Sequence, residues 1–165
     1  MDKAKVNLAI GKLEIICNDT QLTNIYFLSS ASRVLAPQST LTKKVCRQLA
    51  CYFKDPNYQF DLPLNLIGTP LQKKVWKFLT QIASGVTMTY GEAAARLGTH
   101  ARAIGQACRA NPVPIIIPCH RIVAVNGMGG YCGSTRGQQL FLKQYLIAHE
   151  QRQVKAQSYF SNKIS

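Results

Sequence analysis

The sequence predicts an α/β protein of the α+β type, built in two parts. A small mixed sheet with one helix is expected over residues 1–62, and a mostly helical, winged-helix-like domain with a helix-turn-helix over residues 68–150. Apolar residues alternate near the start of the chain, as they do in strands. Beyond residue 68 there are three capping-box patterns, which mark helix starts. The 165 residues, 47% of them hydrophobic, are enough to bury a core.

The first part has the pattern of a meander. Val6, Leu8 and Ile10 alternate with polar residues up to a Gly-Lys turn, and strand-like runs follow over 13–17 and 22–28. Residues 42–54 predict a helix, because apolar side chains recur there at four-residue spacing. An Asp-Pro-Asn turn ends this helix, and residues 58–64 are expected to form a further strand.

The second part is marked by helix-start signals. Capping boxes occupy residues 69–72, 89–92 and 135–138. They predict a helix from Pro70 that stops before Gly85, a short helix over 92–97, and a last helix ending near His149 and Glu150. A further helix is expected from 101 to about 110, so that two short helices flank a glycine turn. This is a helix-turn-helix pattern, although plain core helices would look similar. Residues 151–165 are expected to form a polar basic tail.

The net charge of the chain indicates which kinds of binding partner it attracts. Twenty Lys and Arg stand against seven Asp and Glu, a net charge of +13, and residues 62–150 hold nine basic and two acidic residues. Such a chain attracts polyanions, nucleic acid first and membrane surfaces second. A merely basic globular protein is the alternative. No apolar run of about 18 residues occurs and the start lacks a secretory pattern, so we expect a cytoplasmic protein with reduced thiols.

One cysteine has unusual neighbours. Cys119 follows a rigid Asn-Pro-Val-Pro segment and a run of three isoleucines, and it precedes His120 and Arg121. A thiol acts as a nucleophile in its thiolate form, which nearby bases and cations favour. A carboxylate is needed to orient the imidazole, and Glu150 is the better of the two candidates in this half of the chain. The alternative is a structural cysteine beside a surface histidine.

These residues resemble a known family. The segment Pro118-Cys119-His120-Arg121-Ile122, after Asn111-Pro112-Val113-Pro114, resembles the active-site signature of the O6-alkylguanine-DNA alkyltransferases. Other parts of the chain agree with this family in order and spacing. They are Thr89-Tyr90-Gly91-Glu92, the Arg102 helix, the glycine-rich loop at Tyr131 and the 146–150 segment. The match covers residues 68–150. Residues 1–62 correspond in position and size to the family's ribonuclease-H-like N-terminal domain, without convincing zinc ligands.

The resemblance implies a direct reversal of DNA damage. An O6-alkylguanine, or an O4-alkylthymine, is flipped out of the duplex, and its alkyl group passes irreversibly to Cys119 in one step. By the same resemblance, His120 is the base that acts on the thiol through water and Glu150 orients it. Asn111 braces the turn that presents Cys119. Tyr90 crowds the phosphate of the target nucleotide and donates a hydrogen bond to the departing guanine.

DNA contacts and pocket residues are implied in the same way. Arg102 corresponds to the arginine finger that fills the vacated base stack. The DNA contacts expected beside it are Tyr90, Ala101, Arg109 and Arg121. The residues expected to line the substrate pocket are Ile122, Tyr131, Cys132, Gly133 and Ser134. The family usually has Tyr-Ser-Gly-Gly or Tyr-Ala-Gly-Gly in this loop, so Cys132 and Ser134 are departures that bear on pocket width.

Two other function classes are weighed against this one. A non-repairing sensor of alkylated DNA would lack the nucleophile, so Cys119 argues against it. A Cys-His-Glu hydrolase would turn over and would need an oxyanion hole rather than a basic helix. We expect double-stranded DNA as the partner, no cofactor and no metal, no membrane association, and a monomer.

Overall fold

The computed structural model describes residues 1–163, with side chains described for 1–152 and for Lys155. The predicted α+β class is confirmed. The chain divides into two compact units, one formed by residues 1–67 and 112–116 and the other by residues 68–111 and from 117 onward. Within the described part of the chain, no helix combines the length and the apolar character needed to cross a bilayer.

The first unit is built on a three-stranded sheet. Its strands are β1 (Asp2–Leu8), β2 (Gly11–Cys17) and β3 (Leu22–Phe27), all antiparallel and in sequence order. Residues 112–116 also belong to this unit, and the Pro112 carbonyl accepts a hydrogen bond of 2.9 Å from the Ile25 amide. Alternate side chains of a strand share one face, and one apolar side of the sheet contributes to the core. Its core residues are Ala4, Leu13, Ile15, Leu22 and Ile25.

Helix α1 (Thr40–Lys54) packs on this sheet through Val45, Leu49 and Tyr52. Its start is held by two side chains. The Ser39 hydroxyl accepts from the Thr42 amide at 3.1 Å, and the Asp2 carboxylate on β1 accepts from the Ser39 amide at 2.8 Å. A carboxylate at a helix N-terminus is stabilising because the unpaired amides there carry partial positive charge.

The expected strand over residues 58–64 does not form. Only Leu64 pairs there, in an isolated parallel bridge with Leu22. The Gln48 side chain on α1 instead holds Asp61, donating to its carbonyl at 3.0 Å and accepting from its amide at 2.9 Å. The Gln48 side chain therefore satisfies the backbone at Asp61, where a neighbouring strand would otherwise do so.

The second unit begins with helix α2 (Pro70–Leu79), which the predicted capping box starts. The Thr69 hydroxyl accepts from the Gln72 amide, and the Gln72 side chain accepts from the Thr69 amide. Trp76 is 1% exposed and donates its indole N–H to the Ala107 carbonyl at 2.8 Å. Residue 68 must be glycine, because a Cβ there would lie 2.6 Å from the Trp76 ring.

The helix-turn-helix follows. Helix α3 (Tyr90–Leu97) starts at the predicted Thr89–Glu92 capping box and ends at Gly98, whose φ of 64° is left-handed. Helix α4 (Ala101–Arg109) begins after His100, whose imidazole Nδ1 accepts from the Ala103 amide at 3.2 Å. Three residues thus separate the two helices. A short parallel pair, β4 (Met88–Thr89) with β5 (Ile122–Val123), contacts α3.

Helix α5 (Gln138–Lys163) differs from its prediction at both ends. The expected capping box at 135–138 does not start a helix at residue 136, because Gly137 has a φ of 73°, outside the helical region. At the other end the helix does not stop near His149 and Glu150 but continues to Lys163. The expected tail therefore begins as helix, and its last two residues lie outside the described part of the chain.

Candidate active site

Cys119 is presented by a tight turn at the start of β5. Residues Cys119–Arg121 form one turn of 3₁₀ helix, closed by a 3.0 Å hydrogen bond from the Arg121 amide to the Pro118 carbonyl. The Cys119 amide donates to the Ile117 carbonyl at 2.8 Å. Residues 119 and 120 are not extended, so consecutive side chains do not have to point in opposite directions. The Cys119 residue is 3% exposed.

Behind Cys119 lies a buried ion cluster centred on Glu150 of α5. The Glu150 Oε1 atom lies 2.8 Å from His120 Nε2 and 2.9 Å from Arg121 Nη2. Its Oε2 atom accepts from Arg121 Nε at 3.1 Å and from the Gly85 amide at 3.2 Å. Arg121 also donates to the Ile82 carbonyl. The side chains of His120 and Glu150 are 0% and 1% exposed.

Burial decides the protonation of this cluster. Burial lowers the pKa of His120, even though the hydrogen bond and charge of Glu150 raise it, so the imidazole is neutral at pH 7. Burial alone would raise the pKa of Glu150, but hydrogen bonds and charges from His120 and Arg121 hold it well below the usual range. A neutral His120 paired with a carboxylate donates from Nε2, which leaves Nδ1 as an acceptor. That Nδ1 atom is buried and has no hydrogen-bond partner among the described residues.

Two groups favour the thiolate form of Cys119. Burial raises the pKa of the Cys119 thiol, whereas a hydrogen bond from Asn111 and the charge of Lys143 lower it. The Asn111 amide nitrogen lies 3.2 Å from the sulfur and also donates to the Ile117 carbonyl at 2.8 Å. Asn111 therefore holds the turn and faces the sulfur at the same time.

Cys119 is one of the residues that line a cavity of about 230 Å³. The cavity lies between α3, α4 and the loop that follows β5. Of the residues predicted for the pocket, Tyr131, Cys132, Gly133 and Ser134 line it. The remaining lining residues are Tyr90, Gly105, Cys108, Arg109, Cys119, Gly130 and Thr135.

Tyr90 forms one wall of this cavity. Its hydroxyl lies 3.5 Å from the Gly130 carbonyl, a long and therefore weak hydrogen bond. Burial raises the pKa of Tyr90 to about 12, so the phenol keeps its proton at pH 7 and remains a donor. Gly129, with a φ of 68°, leaves room for the ring, because a Cβ there would lie 2.9 Å from a ring carbon.

The remaining predicted pocket and DNA-contact residues differ in their exposure and in their contacts. Arg121, expected at DNA, is paired with Glu150 instead, and its side chain is only 12% exposed. Ile122 is fully buried, does not line the cavity, and its carbonyl accepts from Lys143 at 2.5 Å. Arg102 and Ala101 are exposed at the start of α4, outside the cavity lining. Arg109 is exposed at the end of α4 and reaches the cavity beside Gly133.

Lys143 and Cys108 were missed by the sequence analysis. Lys143 is fully buried on α5 and donates to the carbonyls of Ile122 and Gly130 at 2.5 and 2.9 Å. Burial lowers its pKa to about 8, so its ammonium is still charged at pH 7. A signal existed: Lys143 precedes Glu150 by seven residues, and such residues share one helix face. Cys108 gives no comparable signal, because its spacing also suits an ordinary core position of α4.

This arrangement can perform nucleophilic chemistry on a group held in the cavity. It joins a thiol, an acceptor imidazole nitrogen and a carboxylate, with a cation and an amide donor beside the sulfur. Within the part of the chain that the structure describes, no cluster of three or more His, Cys, Asp and Glu side chains has the arrangement of a metal site.

Comparison with known proteins points to one family for both units. Residues 70–152 match the profile of the 6-O-methylguanine DNA methyltransferase, DNA binding domain. Residues 1–66 match that of the 6-O-methylguanine DNA methyltransferase, ribonuclease-like domain. Together the two profiles account for nearly the whole chain.

Individual relatives agree. A probable methylated-DNA–protein-cysteine methyltransferase of Acanthamoeba polyphaga mimivirus is 40% identical over 131 residues, covering 76% of this chain and 84% of its own. The methylated-DNA–protein-cysteine methyltransferase of Methanosarcina barkeri is 35% identical over 154 residues, covering 88% and 94%. Among solved structures, Mycobacterium tuberculosis OGT in complex with DNA superposes with a TM-score of 0.73 at 34% identity, covering 90% of this chain and 91% of that one.

Proposed function

Because this chain belongs to the O6-methylguanine DNA methyltransferase family and is a methylated-DNA–protein-cysteine methyltransferase, we propose that Cys119 is the acceptor of the alkyl group. The observation that carries this assignment is the position of Cys119 in the cavity wall beside the His120–Glu150 pair. Cys119 lines the cavity of the DNA-binding domain and is directly followed by His120, which pairs with Glu150 at 2.8 Å.

The thiol is activated by a proton relay. Glu150 fixes the imidazole with Nε2–H toward itself, so that Nδ1 is free to accept a proton. The Cys119 proton passes to Nδ1 through one water molecule, and the imidazolium that forms is stabilised by the adjacent carboxylate. The thiolate is held by the Asn111 amide and the Lys143 charge until it reacts.

The transfer is a single displacement. The thiolate attacks the alkyl carbon on the O6 atom of guanine, the new S–C bond forms as the C–O bond breaks, and the electron pair leaves with the base. Tyr90 donates its hydroxyl hydrogen bond to the departing guanine, exchanging the weak bond to Gly130 for one to a developing anion. The product is a thioether with no route back, so each molecule reacts once. O4-alkylthymine carries its alkyl group on an equivalent exocyclic oxygen and fits the same step.

The target base reaches the thiol by leaving the duplex. An alkyl group on a stacked base is beyond the reach of a buried sulfur, whereas a cavity of about 230 Å³ beside α4 gives the flipped base a place to bind. Arg102, exposed at the second position of α4, is assigned to fill the gap in the base stack. The net charge of +13 supplies the affinity for phosphates.

The test is the stoichiometry of transfer. Intact-mass spectra of the protein mixed with O6-methylguanine duplex should show one added methyl group per chain, mapped to Cys119. Cys119→Ser should abolish transfer, because a serine hydroxyl is barely ionised at pH 7, and should leave binding to undamaged duplex intact. Cys46→Ser, which changes a thiol of the first unit, is the matched control and should transfer normally. Multiple turnovers, or methylation of another cysteine, would refute the assignment.

A further inference from the structure

Three thiols line one cavity, although the proposed reaction uses only one of them. Cys108, Cys119 and Cys132 all contribute to its wall. Cys119 is buried, Cys108 is half-buried and Cys132 is exposed, and none of the three is in a disulfide. The cavity therefore gives a small oxidant access to the buried sulfur and places two further sulfurs around the same space.

Only one of the two extra thiols lies outside regular secondary structure. Cys108 is fixed within α4, whose backbone hydrogen bonds hold it against its neighbours. Cys132 is at the tip of a loop with glycines on both sides, and the loop closes on itself through reciprocal hydrogen bonds of 2.7 and 3.0 Å between Tyr131 and Ser134. Cys132 has a φ of 47°, a conformation unusual for a residue with a side chain, and Gly133 follows with 82°.

One cation is shared by the sulfurs around the cavity. The Lys143 ammonium is held beside the cavity by the carbonyls of Ile122 and Gly130, and its charge acts on all three sulfurs. Partial desolvation of the sulfur raises the pKa of Cys132 to about 12, and the charge of Lys143 acts to lower it. Cys119 also has a hydrogen-bond donor in Asn111. The charge of Lys143 thus acts on both thiols.

We propose that Cys132 is a resolving thiol, which forms a reversible disulfide with Cys119 when a hydroperoxide oxidises the active site. This rests on the proposed function of Cys119 as the reactive thiol. The Cys119 thiolate attacks the distal oxygen of the hydroperoxide, the O–O bond breaks, and the alkoxide or hydroxide leaves and takes a proton. The resulting sulfenic acid is attacked by the Cys132 sulfur, which forms the S–S bond and releases water. Two thiols are oxidised and one peroxide bond is reduced.

The disulfide has two consequences. It removes the nucleophile and draws the pocket loop onto it, so the oxidised protein cannot accept an alkyl group. It also removes the sulfenic acid before a second peroxide converts it to the irreversible sulfinic acid. A protein that reacts only once per molecule is thereby kept recoverable by thiol reductants.

Trypsin separates the three thiols, which makes the proposal directly testable. Cleavage after Arg102, Arg109, Arg121 and Arg136 places Cys108, Cys119 and Cys132 in the peptides 103–109, 110–121 and 122–136. The full chain is treated with hydrogen peroxide, blocked with N-ethylmaleimide and digested without reductant. In parallel, methyl transfer is measured before oxidation, after it, and after dithiothreitol. The wild type is compared with Cys132→Ser and Cys108→Ser, each relative to its own reduced sample.

We expect the mass of the oxidised wild type to fall by two hydrogen atoms and its digest to contain a cross-linked 110–121/122–136 pair. Dithiothreitol should restore about four-fifths or more of its methyl-transfer activity. Cys108→Ser should behave in the same way. Cys132→Ser should instead gain oxygen atoms on 110–121 and stay inactive after reduction. A cross-link between 103–109 and 110–121, the absence of any cross-link in inactivated protein, or equal recovery of Cys132→Ser would overturn the proposal. Failure of the reduced wild type to transfer methyl groups would instead count against the proposed function, because the cross-link is read independently of it.

Discussion

Replacing Glu150 by glutamine should destabilise the second unit strongly, although the change is nearly isosteric. The carboxylate accepts from four donors: His120 Nε2, two nitrogens of Arg121, and the Gly85 amide. Each oxygen accepts two of them. A carboxamide keeps one oxygen and turns the other into an N–H donor, so two donors lose their acceptor and face another donor.

The size of the effect follows from burial. Glu150 is 1% exposed and Arg121 12% exposed, so water cannot replace the lost partner. Breaking a buried ion pair by removing one charge costs about 3–5 kcal/mol. At about 2–4 °C per kcal/mol for a chain of this size, the Tm should fall by roughly 6–20 °C. Alkyl transfer should also slow, by about a hundredfold or more, because His120 loses the group that orients it as a base.

The assay is urea and thermal unfolding of both proteins, with Glu92→Gln as the matched control. Glu92 is exposed and accepts from the Thr89 amide and hydroxyl in the capping box, a position that glutamine fills equally well. This variant should unfold like the wild type. If Glu150→Gln unfolded within about 1 kcal/mol of the wild type, the ion cluster would not hold the unit together as argued.

Acid should remove the difference between wild type and Glu150→Gln. The pKa of Glu150 is held low in the folded state, so its contribution is fully present above the unfolded value of about 4.3. It is lost progressively as the pH falls below that value toward the folded pKa. The gap in unfolding free energy should therefore be constant from about pH 5 to 7 and should shrink below about pH 4. A gap that grew in acid would contradict this sign.

Two further substitutions distinguish extrusion of the base from the transfer reaction itself, by comparing duplex DNA with the free base as substrate. Arg102→Ala should slow transfer from duplex DNA about 5–150-fold, which corresponds to roughly 1–3 kcal/mol of lost compensation for base unstacking. It should leave the reaction with free O6-alkylguanine base nearly unchanged. Equal slowing of both substrates would mean that Arg102 supports the pocket instead. Gly129→Ala should slow both substrates about tenfold or more and lower stability by about 1–3 kcal/mol, because the new Cβ would lie 2.9 Å from a Tyr90 ring carbon at a φ of 68°. Gly91→Ala, with no atom within 4 Å of the added Cβ, is its control in the free-base assay.

Local chemistry determined what the sequence alone could predict. The starts of α2 and α3 follow from Thr69 and Thr89, because a capping box satisfies its own backbone donors within four residues. The end of α3 follows from Gly98, whose left-handed φ suits glycine. The family resemblance likewise depends on short motifs that are contiguous in the chain.

Only the tertiary structure decided which polar side chains are buried and what they contact. Arg121 looks like a surface cation beside Cys119, yet it pairs with Glu150, 29 residues away. Lys143 looks like any helix lysine until two carbonyls, from β5 and from the pocket loop, enclose its ammonium. The capping box at 135–138 fails because Gly137 takes a φ of 73°. The partners of Arg121 and Lys143 are distant in sequence, and the backbone at Gly137 does not follow its local helix-start signal. The free energy that places these residues therefore comes from packing and desolvation in the folded protein.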